Sequence, residues 1–441
     1  MVWALPSEIW ARGFGGPGRE RAMAVAPDRG GKVYCAGRIE GSASFGGSLV
    51  TSAGADALVM ALDVQGRPLW AHAFGGPGTD EALSLAMLPN GDLFVVGAFS
   101  ETADVAPGAE RSELMSAGGT DVFVLRLTRE GALVWARRLG GPQEDRGLDV
   151  AVDARGLWVA GSFQGTLDAG TTRLAGTGQT DGFLARLDLA GTTLWVKGLG
   201  GSQDDAALSV AVEANGTAWV AGSFEGEMAA GASGTPPLVS TGKADGFLVR
   251  VSPEGGVLGG GRIGGKGDDA ATAVAVGPAG GWLTGRFSAT ADLDPGAGVT
   301  SMASAGKTDT FVARLAKTGD LRWVQRLGEA HYDAGTGLAA DAEGGVWALS
   351  VQIERSGFRL DPESTDDRAA LVHFNRDGAV QISRDLAGEG GLRALDLALD
   401  SAGNPCLAGA YRGKATVITG FEIAHVPGAG LTDALVARIV K

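Results

Sequence analysis

One stretch constrains this chain more than any other: WVKGLGGSQDDAALSVAVEANGTAWVAGSF, from Trp195 to Phe224. A Trp opens a short apolar run, and a Gly-Gly turn leads to an acidic residue. An alternating Ala/Val-rich run follows, then a tight Gly-bearing turn, then an aromatic residue three positions before a Gly. The same order recurs from Trp10, Trp70, Trp135, Trp195, Gly259, Trp323 and Gln381. A period of about 60 residues holding several short strands marks a repeat architecture, whose units bury their apolar faces against one another. Length alone would suggest two or three domains, but seven linked units make residues 1–441 one domain.

Each unit reads as four strands, a to d from the inside outward. Strand a is the Ala/Val run, as in Leu208 to Val212, where small residues suit a crowded axis. Strand b carries the aromatic at Tyr34, Phe94, Trp158, Trp219, Trp282 and Trp347. Strand c follows an Asp, as in DGFLARL from Asp181, and strand d is the Trp-led run. Gly-bearing segments such as Glu213-Ala-Asn-Gly read as tight a–b and c–d hairpins. No helical period of useful length occurs. The chain opens on a d strand (Ile9 to Phe14) and closes on a c strand (Asp433 to Val440), so each end carries part of one blade. Pairing them removes an exposed sheet edge, a need that an open β-solenoid would not have. The expected fold is all-β: a single seven-bladed β-propeller of four-stranded antiparallel blades, closed by its terminal strands.

The net charge of −14 opposes nucleic acid and anionic membranes as partners. No apolar run approaches the roughly 18 residues of a membrane span, and Met1 to Trp10 has no signal-peptide core. Cys35 and Cys406 fall on equivalent strands of the first and last units, read as small buried residues with a disulfide as the rival account.

These units resemble the bacterial β-propeller repeats often called SBBP, with their Trp strand, Gly-Gly-x-x-x-Asp-x-Ala segment and Ala-Gly-x-Phe segment. The Trp135 and Trp195 units match best; those from Gly259 and Gln381 lack the leading Trp. The resemblance implies an exported or surface-associated binding scaffold, with its leader outside this sequence, and no specific activity.

Of ten tryptophans, only Trp3 stands outside a repeat position, which points to packing between sheets rather than ligand stacking. Glu20, Asp80, Asp145, Asp205, Asp269 and Asp333 share one position before strand a, with Leu392 in the seventh unit. They would ring one mouth of the channel, either to attract a cation or basic partner or to hold their own Gly-Gly turns. A second series, Asp56, Asp121, Asp181, Asp245, Asp309 and Asp433, opens strand c. Five residues on stand Arg126, Arg186, Arg250, Arg314 and Arg438, for which structural ion pairing is expected. Asp292 and Asp294 offer hard oxygen ligands of the kind calcium takes, against an ordinary Asp-Pro-Gly turn; Asp104 and Asp361 echo them. His72, His331, His373 and His425 show no ligand spacing, and no nucleophile motif or phosphate loop occurs.

Three functional classes remain. The expected one is a non-catalytic, monomeric scaffold with a protein or glycan partner on the face carrying the long b–c loops: Ser100 to Thr120, Glu225 to Ala244 and Ser288 to Thr308. The others are a lyase or hydrolase with its site at the channel mouth, and a multivalent glycan-binding lectin.

Overall fold

The computed structural model describes residues 10–106, 111–229, 236–353, 367–418 and 423–439; Trp3 and Asp361 lie outside these. All regular elements among the described residues are β-strands, and no helix is long and apolar enough to cross a membrane. They form seven blades of four antiparallel strands. In the fourth blade Asp205–Val212, Ala218–Met228, Leu238–Val251 and Val257–Gly265 follow one another as strands a to d. The seventh blade draws Leu392–Leu399, Pro405–Tyr411 and Asp433–Arg438 from the C-terminal end, and Trp10–Phe14 supplies its outer strand. Trp10 pairs with Arg438 and Phe14 with Ala434, so the ring closes as expected.

Tryptophan fastens blade to blade. Each repeat-opening indole lies outermost in its blade and donates from Nε1 to a carbonyl in the next blade's c–d turn. Trp10 reaches Val64 at 3.0 Å, Trp135 reaches Leu189 at 3.1 Å and Trp195 reaches Pro253 at 2.9 Å. The ring packs on that turn's glycine: a Cβ on Gly66, whose φ is +75°, would lie 2.5 Å from Trp10. Where Gly259 replaces the Trp, Arg250 reaches the equivalent turn carbonyl, Lys317, at 2.5 Å. The arginines of strand c stack on strand b aromatics, Arg186 over Trp158 with its guanidinium 4.7 Å from the ring. Their ion pairs run to acids of the a–b turns, Arg126 to Asp92 and Arg186 to Asp153. The Asp that opens strand c instead meets an arginine of strand d, as Asp121 meets Arg138 at 3.0 Å and Asp245 meets Arg262 at 2.9 Å. Alternation along a strand explains this, since residues five apart face opposite sides. Cys35 and Cys406 are free, buried thiols of one apolar cluster.

Strand b and strand c continue past the blade as a hairpin arm. In the fifth blade the arm is Thr290–Asp292 and Ser301–Ala303, and it adds to strand d of the fourth blade through Gly264–Asp292 and Gly265–Ala291 pairs. The seventh blade's arm, Lys414–Ile418 and Ile423–Pro427, adds to strand d of the sixth in the same way. Single bridges Gly75–Asp104 and Gly140–Asp168 repeat the junction in the second and third blades. The long b–c connections therefore shield the outer edge strand of the preceding blade, where unpaired amides would otherwise stand exposed.

Candidate functional site

Two carboxyl groups meet at each of six blade junctions on the loop face. One belongs to the ring Glu20, Asp80, Asp145, Asp205, Asp269 and Asp333; the other is the Asp opening strand c of the preceding blade. The ring members stand at the start of the innermost strands and are turned into the junctions, 0–5% exposed, and none of them lines the channel cavity. Each accepts a backbone N–H from its own turn: Gly16 to Glu20 at 2.9 Å, Gly76 to Asp80 at 2.9 Å, Gly141 to Asp145 and Gly201 to Asp205 at 2.6 Å, Gly265 to Asp269 at 2.7 Å, and Glu329 to Asp333 at 3.1 Å. In Asp80, Asp145, Asp205 and Asp269 the second oxygen holds the start of the arm, as Ser288 N–H donates to Asp269 at 2.7 Å. The partner acid holds the arm's end, with Ala117 N–H donating to Asp121 at 2.6 Å and Thr241 N–H to Asp245 at 2.9 Å.

The first glycine of each turn sits between the two acids. A Cβ on Gly200 would stand 2.3 Å from Asp181 Oδ1 and 2.9 Å from Asp205 Oδ2. Only a residue without a side chain fits. Acids held this closely resist joint ionisation. Burial, reinforced by the partner acid and opposed by the backbone N–H bonds, pushes Asp145 and Asp205 up to about 7. Glu20 rises to about 7, and Asp80, Asp269 and Asp333 to about 6, for the same reasons. Oδ1 of Asp121, Asp245, Asp309 and Asp433 is buried without a hydrogen-bond partner. A ring acid that keeps its proton can donate it to that oxygen.

Asp292 and Asp294 lie in the turn of the fifth arm. Asp292 Oδ1 accepts the N–H groups of Asp294 at 3.2 Å and Thr300 at 2.8 Å, and Asp294 Oδ1 accepts that of Gly296 at 2.8 Å. Asp104 does the same in the second arm, with Ala106 at 3.2 Å and Ser112 at 3.1 Å, which accounts for the echo. Among the described residues no group of three or more His, Cys, Asp or Glu side chains is placed to hold a metal ion.

The channel holds a cavity of about 550 Å³ lined by the seven innermost strands. A bulge interrupts every one at the same point, between Ala22 and Ala24, Gly147 and Asp149, Ala207 and Ser209, and their equivalents. Each of these strands is the inner edge of its sheet, so backbone N–H groups just past the bulge face away from the ladder and find no strand partner. Side chains of the preceding blade accept several of these: Ser84 takes Val150, Asp149 takes Val210, Ser209 takes Val274, and Asp396 takes Val25. Ser84 also donates to Asp149 at 2.7 Å, tying three blades together. Sequence reasoning missed Asp149 and Asp396; the signal was an acid inside an Ala/Val run where other units carry Ala, Ser or Gly.

Large apolar side chains stand exposed on the arms. Leu49 is 70% exposed, Met115 72% and Val299 75%, each on the b–c connection of a different blade.

No family model matches the chain. It is similar to the regulatory protein FlaEY of Caulobacter vibrioides, 26% identical over 389 residues, which are 80% of this chain and 38% of that protein. The chain thus spans well under half of that relative's length. Among solved structures, the WD40 β-propeller domain of Doa1 aligns with 98% of this chain and 97% of its own at 10% identity and a TM-score of 0.46. The WD40 domain of Neurospora crassa Pan2 aligns with 82% of this chain and 90% of its own at 10% identity and a TM-score of 0.42.

Proposed function

We propose that this protein is a non-catalytic binding scaffold that docks a protein partner on the loop face around its channel. The observation that supports this is the set of b–c arms. They differ in length and sequence, yet those of the second, third, fourth, fifth and seventh blades are bonded to the blade before, so they present their side chains from a fixed frame. Exposed Leu49, Met115 and Val299 give that face apolar anchors of the kind protein interfaces bury. The opposite face offers only tight a–b and c–d turns. The regulatory name of the Caulobacter relative agrees with a binding role. An exported address, as in the SBBP-type repeats, belongs to the same proposal.

The test is site-specific photocrosslinking in the source cell. A photoreactive residue at Met115 or Val299 is expected to trap one discrete partner, and the same residue at Asn215 or Glu254, in turns of the other face, none. Adducts formed only from Asn215 or Glu254 would refute the assignment of the face.

A further inference from the structure

In a chain of net charge −14, the loop-face end of the channel gathers arginine. Directly after the ring position stand Arg21, Arg146 and Arg393, in the first, third and seventh blades, with Glu81 in the second. Arg38 lies across the sheet from Arg21. Glu81 accepts from Arg38 at 2.8 Å and Arg146 at 2.7 Å, so one carboxylate serves two guanidinium groups. Burial would raise its pKa, but those two cations hold it below the usual range. Asp367 accepts from Arg393 Nε, and Glu40 lies 3.8 Å from Arg38. Arg21 has no hydrogen bond or ion pair among the described residues. Burial together with Arg38 depresses its pKa, against Glu81. Arg393, with its side chain 9% exposed, keeps Nη1 buried without a partner while lining the cavity. A buried cationic N–H left unbonded is costly, and an anion at the mouth would relieve it.

The charges and the wall of the mouth narrow the ligand. At the rim, Arg21, Arg38, Arg146 and Arg393 outnumber Glu81, Asp367 and Glu40, which suits an anionic head, while Asp149 and Asp396 stand deeper in the cavity. Just inside the mouth the wall turns apolar, through Met23, Leu83, Leu148 and Leu395. We propose that the channel mouth is a binding site for a small carboxylate with an apolar body, its head on Arg21 and Arg393 Nη1 and its tail against these side chains. The site is separate from the exposed arms, so it goes beyond partner docking, and its failure would leave that reading untouched.

Titration calorimetry on the full chain tests it with octanoate, acetate and octylamine as probes. Octanoate is expected to bind at one site, with acetate at least tenfold weaker for lack of a tail. Octylamine is expected not to bind. Arg21→Gln removes no hydrogen bond or ion pair and should weaken octanoate at least tenfold; Glu81→Gln, which frees two guanidinium groups, should strengthen it. Arg393→Gln also breaks the Asp367 pair, so its binding is read only beside an unchanged far-ultraviolet spectrum and melt. Unchanged octanoate affinity in folded Arg21→Gln, or octylamine binding as tightly as octanoate, would overturn the proposal.

Discussion

Replacing Asp145 by Asn tests the reading of the junction acids most directly. In the unfolded chain Asp145 loses its proton near 3.8, and in the fold near 7, chiefly through burial and then through Asp121. Between those values the folded state holds the extra proton, so stability falls as the pH rises from about 4 to about 7, and the penalty is complete above that. One pKa unit is worth about 1.4 kcal/mol, which bounds the cost of ionising Asp145 at about 4 kcal/mol. Arg138, bonded to Asp121 at 3.0 Å, offsets part of the partner acid's charge and reduces it, leaving about 1–2 kcal/mol. Asn keeps the acceptor for the Gly141 N–H, gives up the longer Gln164 N–H bond of 3.3 Å, and can donate to the unpartnered Asp121 Oδ1 at every pH. Asp145→Asn should therefore be about 1–2 kcal/mol more stable than the parent at pH 8, with less than half of that gap left at pH 5. Asp145→Ala, which abandons the Gly141 N–H, should be less stable at both values. Urea unfolding at the two pH values measures all three. A difference between parent and Asp145→Asn that does not change with pH would refute the shared-proton account, as would a loss of stability at pH 8.

Three further outcomes follow from the same structure. Gly200→Ala drives a Cβ between Asp181 and Asp205 and should lower stability by several kcal/mol, whereas Gly198→Ala, whose new atom meets only Leu174 at 3.6 Å, should be close to neutral; thermal melts of the pair decide whether the glycine is needed for space. Removing residues up to Phe14 takes away the seventh blade's outer strand with buried Trp10 and Phe14, a loss of order 5 kcal/mol in apolar burial alone; a melting temperature equal to that of the full chain would contradict closure through this strand. Asp292→Ala should cost about 1–2 kcal/mol by freeing the Asp294 and Thr300 N–H groups, equally in chelator and in calcium; a calcium-dependent rise in melting temperature in the parent, absent from the variant, would instead assign a bound ion.

Much of this architecture could be read from local pattern. Turn glycines, strand alternation and a Trp at a fixed place are short-range features, and repetition seven times makes each legible even where one unit has drifted. The complementary ends, Trp10–Phe14 and Asp433–Arg438, announced closure because an unpaired edge is costly whatever the details of packing. The role of the ring acids was half visible. A carboxylate beside a Gly-Gly turn has an obvious local acceptor role, and Gly141 fills it at 2.6 Å. That Asp145 would face Asp121 from the neighbouring blade could not be read from spacing, because the two approach only when blades stack. The b–c connections looked like free loops for a similar reason: Asp292 and Gly264 bond across a blade boundary, and neither segment alone carries that information. The arginine mouth depended on the ring as well. Arg21 and Arg393 are nearly the whole chain apart in sequence, and closure makes them neighbours; a charge excess built from residues on separate blades exists only once the tertiary fold has chosen which side chains share a space.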